Sequence, residues 1–211
     1  MLMRCRSRIA GRRLELTDNA GTTFVADSSA GMRRSASGVA RGFESHVAQA
    51  LEQAISRHRA SGGRLVLDVN WRPTFWGLAA DAEPTAVIQQ QMQPLLRQAD
   101  LLKLAAEEAE GLFSSRDPQA VAAALPQRPA VVVTDGGKGV SWSMGSASGS
   151  LPAYRVPVVD TTGAGDAFVG AFAHGLSTGL NPKDAISLAI DRASDSVTRK
   201  GTQISYSSDG A

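Results

Sequence analysis

The sequence contains one cysteine, three histidines and no apolar run long enough to cross a membrane. A single cysteine excludes an internal disulfide and fits a reducing compartment, so we expect a cytoplasmic protein. The histidines have no spacing typical of a metal site. The net charge is only +2 over 211 residues, and composition therefore gives no argument for a nucleic acid or membrane partner.

The first part of the chain lacks any clear helical or strand period. Five arginines lie within residues 1–13, before the first acidic residue, and no signal-peptide core accompanies them. We expect residues 1–37 to form an irregular leader and residues 38–211 to form the folded domain. Arg- and Ser-rich, acid-poor starts are also typical of organelle transit peptides, and a frame-shifted leader is a further interpretation.

From Gly38 onward, short apolar strands alternate with amphipathic helices. The pattern predicts strands at 65–67, 101–104 and 131–133, a hairpin from 139–144 and 151–156, and helices at 86–98, 106–113, 118–125, 163–178 and 182–195. Pro94 is expected to kink or split its helix. Alternating strands and helices indicate a three-layer α/β fold with a mostly parallel sheet.

The segment from Asp160 to Phe168 carries the clearest chemical signal. Its glycine-rich turn leads directly into an apolar helix, so backbone N–H groups and the helix N-terminus offer fixed donors to an anion. Asp166, in the first helical turn, is poorly placed to bind a phosphate but well placed to accept a proton from an attacking hydroxyl. Amides on the transferring group and a carboxylate on the nucleophile are what phosphoryl transfer to an alcohol needs.

This segment, with Phe168 and Gly170, resembles the C-terminal signature of the ribokinase-like (PfkB-type) carbohydrate kinases. Other blocks follow in the family's order: residues 68–73 with Trp76 resemble the Asp-x-Asn-x-Arg block of the fructokinase and 2-keto-3-deoxygluconate kinase branches. Residues 99–110, 134–140 and 197–205 resemble later blocks. The resemblance implies a ribokinase-like fold and ATP-dependent phosphorylation of a sugar.

The resemblance also implies residue roles. Asp166 is the base, and the amides of Gly163, Ala164 and Gly165, with that of Asp166, form the anion hole. Asn70 and Arg72 bind the sugar, although a surface arginine beside a turn is the alternative. The nucleotide would lie along Thr134, Gly136, Gly139 and Lys103, where a plain turn explains the glycines almost as well.

Metal roles are implied at two places. Glu108 would organise Mg²⁺ through water, or it is merely an exposed helix charge, because the family's Asn or Ser three residues earlier is here Ala105. A monovalent cation such as K⁺ would be held near the anion hole. The residues implied for that cation are Asp160, Thr162, Gly201 and Ser205.

The sequence departs from the family in its first part. The glycine-glycine sugar motif, the N-terminal acidic sugar contact and the β-lid are not found in residues 1–44, so we expect an incomplete sugar pocket and a monomer or weak self-association. Asp191, Arg192 and Asp195 stand where relatives place small apolar residues, and burying them would cost desolvation.

Three functional interpretations follow. The first is a fructokinase using ATP and Mg²⁺, with 2-keto-3-deoxygluconate as the alternative acceptor because Arg72 suits a carboxylate equally well. The second is a truncated, non-catalytic fragment that binds nucleotide without enclosing a sugar. The third is a product that does not fold stably.

Overall fold

The computed structural model describes residues 8–10, 13–17, 23–27, 45–202 and 205–206. The side chains of residues up to 51 and of Phe75 lie outside this description. The predicted boundary at residue 37 also falls outside the described residues.

The described residues near the N-terminus form three short strands: β1 (Arg8–Ala10), β2 (Arg13–Thr17) and β3 (Thr23–Asp27). They form an antiparallel sheet in the order β1-β2-β3. The prediction of an irregular segment is wrong for these three stretches. Polar and apolar residues alternate through β2, and this period of two is the strand signal that the composition obscured.

The main domain holds a five-stranded sheet in the order β4-β5-β6-β7-β8. Strands β4, β5 and β6 are parallel, β7 is antiparallel to β6, and β8 is antiparallel to β7. Four of the five strands therefore run in one direction, which confirms the mostly parallel α/β prediction. The strands are β4 (Val66–Asp68), β5 (Leu101–Ala105), β6 (Ala130–Thr134), β7 (Val140–Met144) and β8 (Ala147–Leu151).

Among the described residues, six helices accompany this sheet. They are α1 (Ser45–Ala60), α2 (Ala86–Leu96), α3 (Ala106–Phe113), α4 (Pro118–Ala123), α5 (Ala164–Ser177) and α6 (Pro182–Ser196), with 3-10 turns at Pro73–Trp76 and Gly136–Lys138. Within the part of the chain that the structure describes, no helix is long and apolar enough to cross a lipid bilayer.

Alternate residues of each strand face two separate cores, as strand geometry requires. Leu67, Leu102, Leu104 and Val133 pack against helices α1 to α4. Residues from the opposite sheet face, such as Val66 and Leu101, pack against α5 and α6. The sheet is thus covered on both faces, giving the predicted three layers.

Helices α5 and α6 pack closely because of one glycine. A Cβ at Gly175 would lie 3.1 Å from the Cα and Cβ of Ala185, tighter than most side-chain contacts. Asn181 caps α6 by accepting the Asp184 N–H at 3.0 Å, as its position before Pro182 predicts. Gly175 thus lets the C-terminal part of α5 pack against the first turns of α6.

Two local predictions differ from the structure. The hairpin is tighter than expected: β8 begins at Ala147 and pairs with β7 across a turn at Gly145, and no strand runs from Leu151 to Val156. Serine and glycine in β8 hid the strand, because their β-propensity is low. Pro94 does not split α2, since it lies in the last turn, where few helical bonds remain to be lost.

Replacing Gly139 by alanine is expected to destabilise the fold strongly. Gly139 has φ 115° and ψ −150°, and a Cβ there would lie 2.1 Å from the Leu151 carbonyl oxygen. Such a conformation costs a side-chain-bearing residue about 1–3 kcal/mol before the collision is counted. Urea unfolding of Gly139→Ala measures this loss. Gly137→Ala, where a Cβ meets nothing within 4 Å, is the control and should change stability little. Equal effects would contradict this account.

Candidate active site

The carboxyl ends of β4, β5 and β6 meet at one edge of the sheet. Asp68 is the register partner of Lys103, and Lys103 is that of Val132. These positions point to the α5 side of the sheet, because Val66, Leu101 and Val132 all pack in the core on that side. Asp68 and Lys103 therefore lie beneath the N-terminus of α5.

Asp68 and Lys103 form a buried ion pair. The Lys103 Nζ lies 3.1 Å from the Asp68 Oδ1, and the two residues are 6% and 3% exposed. Within the described residues, that Oδ1 nevertheless accepts no well-directed hydrogen bond. The contact is therefore one of charge rather than of aligned donor and acceptor, and an ammonium, with three N–H donors, can donate to a further acceptor as well.

The predicted anion-binding turn lies next to this ion pair. Gly163 adopts a left-handed conformation with φ 84° and precedes the first residue of α5. A Cβ at Gly165 would lie 3.6 Å from the Lys103 Nζ, so the ammonium sits close to the turn. Backbone amides, the helix N-terminus and an ammonium thus converge on one small volume, which suits an anion.

Not every predicted amide of the anion hole is free. The Ala164 N–H donates to the Thr161 carbonyl at 3.2 Å. Within the described residues, the N–H groups of Gly163, Gly165 and Asp166 donate to no backbone or side-chain acceptor. Three of the four predicted amides are therefore available to a ligand as the turn stands.

Asp166 is placed as a base would be. Its side chain opens to solvent on one side, but the protein removes water on the others, and this burial raises its pKa. The charge of Asp68 raises it further, while Lys103 and Arg72 lower it. A carboxylate with a raised pKa is a stronger proton acceptor than an ordinary aspartate.

The loop residues predicted to hold a monovalent cation are partly brought together. The Asp160 carboxylate accepts the Gly201 N–H at 3.0 Å and the Thr162 N–H at 2.9 Å, and these bonds lower its pKa to about 2. Ser205 is fully buried and donates to the Thr202 carbonyl at 2.6 Å. In the ranges described, no three His, Cys, Asp or Glu side chains gather as metal ligands.

Tyr206 joins the site, although no sequence pattern singled it out. Its hydroxyl donates to the Gly163 carbonyl at 3.1 Å. Burial raises its pKa, and the nearby Asp166 charge adds to this rise. The C-terminal loop is thus bonded to the anion-binding turn across more than forty residues of sequence, a contact that local motifs do not reveal.

Glu108 is not an exposed helix charge, since it is only 8% exposed. One carboxylate oxygen accepts the Ala105 N–H at 2.7 Å, and the other accepts the Trp71 N–H. Burial raises its pKa, with Lys103 opposing the rise. Glu108 therefore ties the start of α3 to the loop after β4, and its role toward Mg²⁺ stays a prediction.

Ala105→Ser is expected to stabilise the protein by about 1 kcal/mol. Ala105 is the N-cap of α3 with an extended backbone, and it has no side chain to accept a helix N–H. A serine would complete the pair of bonds that Glu108 only half provides. Thermal unfolding measures the gain. Ala124→Ser, at the exposed C-cap of α4, is the control and should change little. No gain at Ala105 would contradict the capping argument.

The remaining predicted residues lie around the same edge. Asn70 has a left-handed backbone with φ 45°, and Arg72 is exposed, with its charge acting on Asp166. The Thr134 hydroxyl donates to the Leu104 carbonyl at 3.3 Å. Gly136 is exposed with φ 48°, whereas the packing of Gly139 against β8 accounts for that glycine without a nucleotide.

The charges of α6 create no isolated buried ion. Asp191 is exposed, and Arg192 and Asp195 are half-buried. Asp195 forms an ion pair with Arg199 one turn later. The desolvation cost expected for these positions is therefore avoided.

Known proteins share this fold and these motifs. Residues 35–209 match the pfkB family of carbohydrate kinases. A fructokinase of Vibrio alginolyticus is 34% identical over 160 residues, which cover 71% of this chain and 49% of the relative. A deoxyribokinase of Salmonella typhi is 46% identical over 78 residues, covering 37% of this chain and 26% of the relative.

A solved structure shows the same fold. The crystal structure of aminoimidazole riboside kinase from Salmonella enterica, complexed with aminoimidazole riboside and an ATP analog, superposes with a TM-score of 0.68 at 28% identity, covering 82% of this chain and 59% of that one. The chain spans only about a quarter to a half of the two curated relatives described above. Because the family match extends over most of its length and includes the turn before α5, the chain belongs to the pfkB family of carbohydrate kinases.

Proposed function

We propose that this protein transfers a phosphoryl group from ATP to a sugar hydroxyl, with Asp166 as the base. The observation that carries the proposal is the placement of Asp166. It lies in the first turn of α5, its pKa is raised by burial, and it stands beside free amides and the Lys103 ammonium. A proton acceptor next to an anion site is what this reaction needs.

The residues present fit a nucleoside triphosphate. Glycines at 163 and 165 leave the backbone open, since Cβ atoms there would approach Tyr206 and Lys103. The ammonium is not held in a directed hydrogen bond by Asp68. Mg²⁺-bound ATP supplies the transferable phosphoryl group and part of the charge neutralisation. Glu108 and the loops containing Asp160 and Gly201 would organise the divalent and monovalent cations.

The chain's own groups would have separate roles in the reaction. Asp166 accepts the proton of the attacking hydroxyl at its carboxylate oxygen. The amides of Gly163 and Gly165 and the Lys103 ammonium balance the negative charge that builds up on the transferring group. Arg72 and Asn70 lie at the same edge and would orient the sugar. Arg72 also acts on Asp166 electrostatically, and this supports a role for it near the attacking hydroxyl.

Fructose is the acceptor we favour, on the block from Asp68 to Arg72. The match to a fructokinase over 71% of the chain supports it. The match to a deoxyribokinase shows that the shared segments do not select one sugar. A 2-keto-3-deoxygluconate acceptor is the alternative, since the Arg72 guanidinium binds a carboxylate as readily as a sugar oxygen.

A second candidate function is nucleotide binding without catalysis. The match covers 49% of the fructokinase, so about half of that relative has no counterpart in the matched segment. The anion site, by contrast, lies wholly within the described residues. This candidate predicts ATP binding without sugar-dependent turnover.

The deciding experiment measures ADP release from Mg²⁺-bound ATP with fructose, 2-keto-3-deoxygluconate, ribose and deoxyribose in separate reactions. Calorimetry measures nucleotide binding in parallel. Turnover that depends on one sugar supports the kinase and names its acceptor. Binding without turnover supports the second candidate. The absence of both contradicts each of them.

A further inference from the structure

We infer that Asp68 is a positioning residue for phosphoryl transfer: its buried carboxylate holds the Lys103 ammonium beneath Gly165, where the ammonium binds the terminal phosphate of a nucleoside triphosphate. The inference rests on the proposed function and deepens it. Asp68 touches neither substrate nor reacting atoms in this arrangement. It acts through Lys103.

The sheet register creates the pair. Asp68 ends β4 and stands directly opposite Lys103 on β5, so the two side chains leave the same sheet face side by side. Both are buried, and their charged atoms lie 3.1 Å apart. A buried charge is costly unless an opposite charge lies beside it, and the Asp68 carboxylate provides that charge for the Lys103 ammonium.

The direction of the contact leaves the ammonium ready for a ligand. The Asp68 Oδ1 receives no directed hydrogen bond within the described residues, although Lys103 Nζ is at ion-pair distance. The same Nζ lies 3.6 Å from the position that a Cβ of residue 165 would take. The ammonium is thus held by charge on one side and faces the anion-binding turn on the other.

The charges around the anion site explain why a buried cation is needed there. Asp68, Glu108 and Asp166 place three carboxyl groups near the anion site, and a triphosphate would be repelled by them alone. Lys103 is the buried cation among them. Holding it at the turn lets an anion approach while Asp166 remains close enough to act as the base.

The test compares the affinities of the full chain for Mg²⁺-bound ATP and Mg²⁺-bound ADP by calorimetry, in the unaltered protein and in Asp68→Asn. The ammonium contacts the terminal phosphate, so Asp68→Asn should weaken ATP binding about tenfold or more relative to ADP, the loss typical of one charge-assisted hydrogen bond. Asp68→Glu keeps the negative charge but displaces the ammonium. It should therefore weaken ATP binding relative to ADP binding by a smaller factor than Asp68→Asn does. If Asp68→Asn folds and its ratio of ATP affinity to ADP affinity is unchanged, the inference is overturned. If Asp68→Asn does not fold, an unchanged ratio in Asp68→Glu overturns it.

Asp100→Asn is the matched control. Asp100 lies before β5, at the opposite end of the sheet, and pairs with Arg59 and the Leu65 N–H. Its loss should lower stability without changing the preference for ATP over ADP. A similar change in both variants overturns the inference, because general loosening would then explain it. If the unaltered chain binds neither nucleotide, the proposed function fails and this inference fails with it. Binding with an unchanged ratio in Asp68→Asn overturns the inference alone.

A second readout needs no nucleotide. The groups that face Asp166 are Asp68 on β4, Lys103 on β5, Arg72 after β4 and Tyr206 in the C-terminal loop. The Asp68 charge raises the pKa of Asp166 by repulsion, so removing that charge in Asp68→Asn should move the carboxyl ¹³C titration of Asp166 to lower pH. It should stay in place in Asp68→Glu and Asp100→Asn. An unmoved titration in Asp68→Asn overturns the placement of Asp68.

Discussion

Replacing Asp166 by asparagine is expected to lower sugar-dependent turnover about 10²- to 10⁴-fold, the range typical for loss of a positioned base. Asparagine keeps the shape of the side chain but does not accept the hydroxyl proton. Nucleotide affinity should be retained or slightly increased, because a negative charge beside the anion site is removed. Steady-state kinetics with Mg²⁺-bound ATP and the preferred sugar measure the loss, and calorimetry measures the affinity.

Asp184→Asn provides the matched control for Asp166. Asp184 is the third residue of α6, as Asp166 is of α5, and both are acids in the first turn of their helices. If Asp166 acted only by stabilising its helix N-terminus, the two substitutions would have similar effects. Retention of more than about a tenth of the turnover in Asp166→Asn would contradict its role as the base, judged against the usual contribution of such a group.

Lys103→Met is expected to destabilise the fold by about 3–5 kcal/mol, because it leaves the Asp68 carboxylate buried without its cation. Adding Asp68→Asn should recover part of this loss, since the double variant no longer buries an unpaired charge. Urea unfolding gives the free energies, and an unchanged m-value shows that the two states being compared are the same.

Lys138→Met separates burial from ion pairing. Lys138 pairs with Asp135 at 3.2 Å, but its side chain is 75% exposed. Loss of a surface pair costs at most about 1 kcal/mol, so this variant should remain close to the unaltered protein. Similar losses in Lys103→Met and Lys138→Met, or a double variant no more stable than Lys103→Met, would contradict the account of the buried pair.

The sequence predicted the main domain well where local patterns decide the structure. Apolar runs at 131–133 and the Asn181-Pro182 start of α6 led to the right elements, since burial and capping act locally. The hairpin from β7 to β8 was placed too far along the chain, because Ser and Gly carry no clear strand signal. The short strands before residue 28 were missed for a similar reason: each is too brief for its period to stand out.

The site was only partly predictable. The base and the anion-binding turn follow from one contiguous motif. Because they are adjacent in the sequence, they are also close in space. The pairing of Asp68 with Lys103 depends on strand register, and the Tyr206 bond to Gly163 depends on how the last loop folds back. Neither leaves a local pattern. The sugar contacts of Asn70 and Arg72, the cation roles of Glu108 and Asp160, and the oligomeric state stay predictions.

The division of the interior into two cores has a consequence for how the protein opens. Helices α5 and α6 share the core on one sheet face, while the other face is covered by α1 to α4. Opening of the α5–α6 layer alone would therefore carry Asp166 and the anion-binding turn away from Lys103, yet leave the first core buried. Amide hydrogens of α5 should then exchange with solvent sooner than those of β5, and the active site would be lost before the chain unfolds.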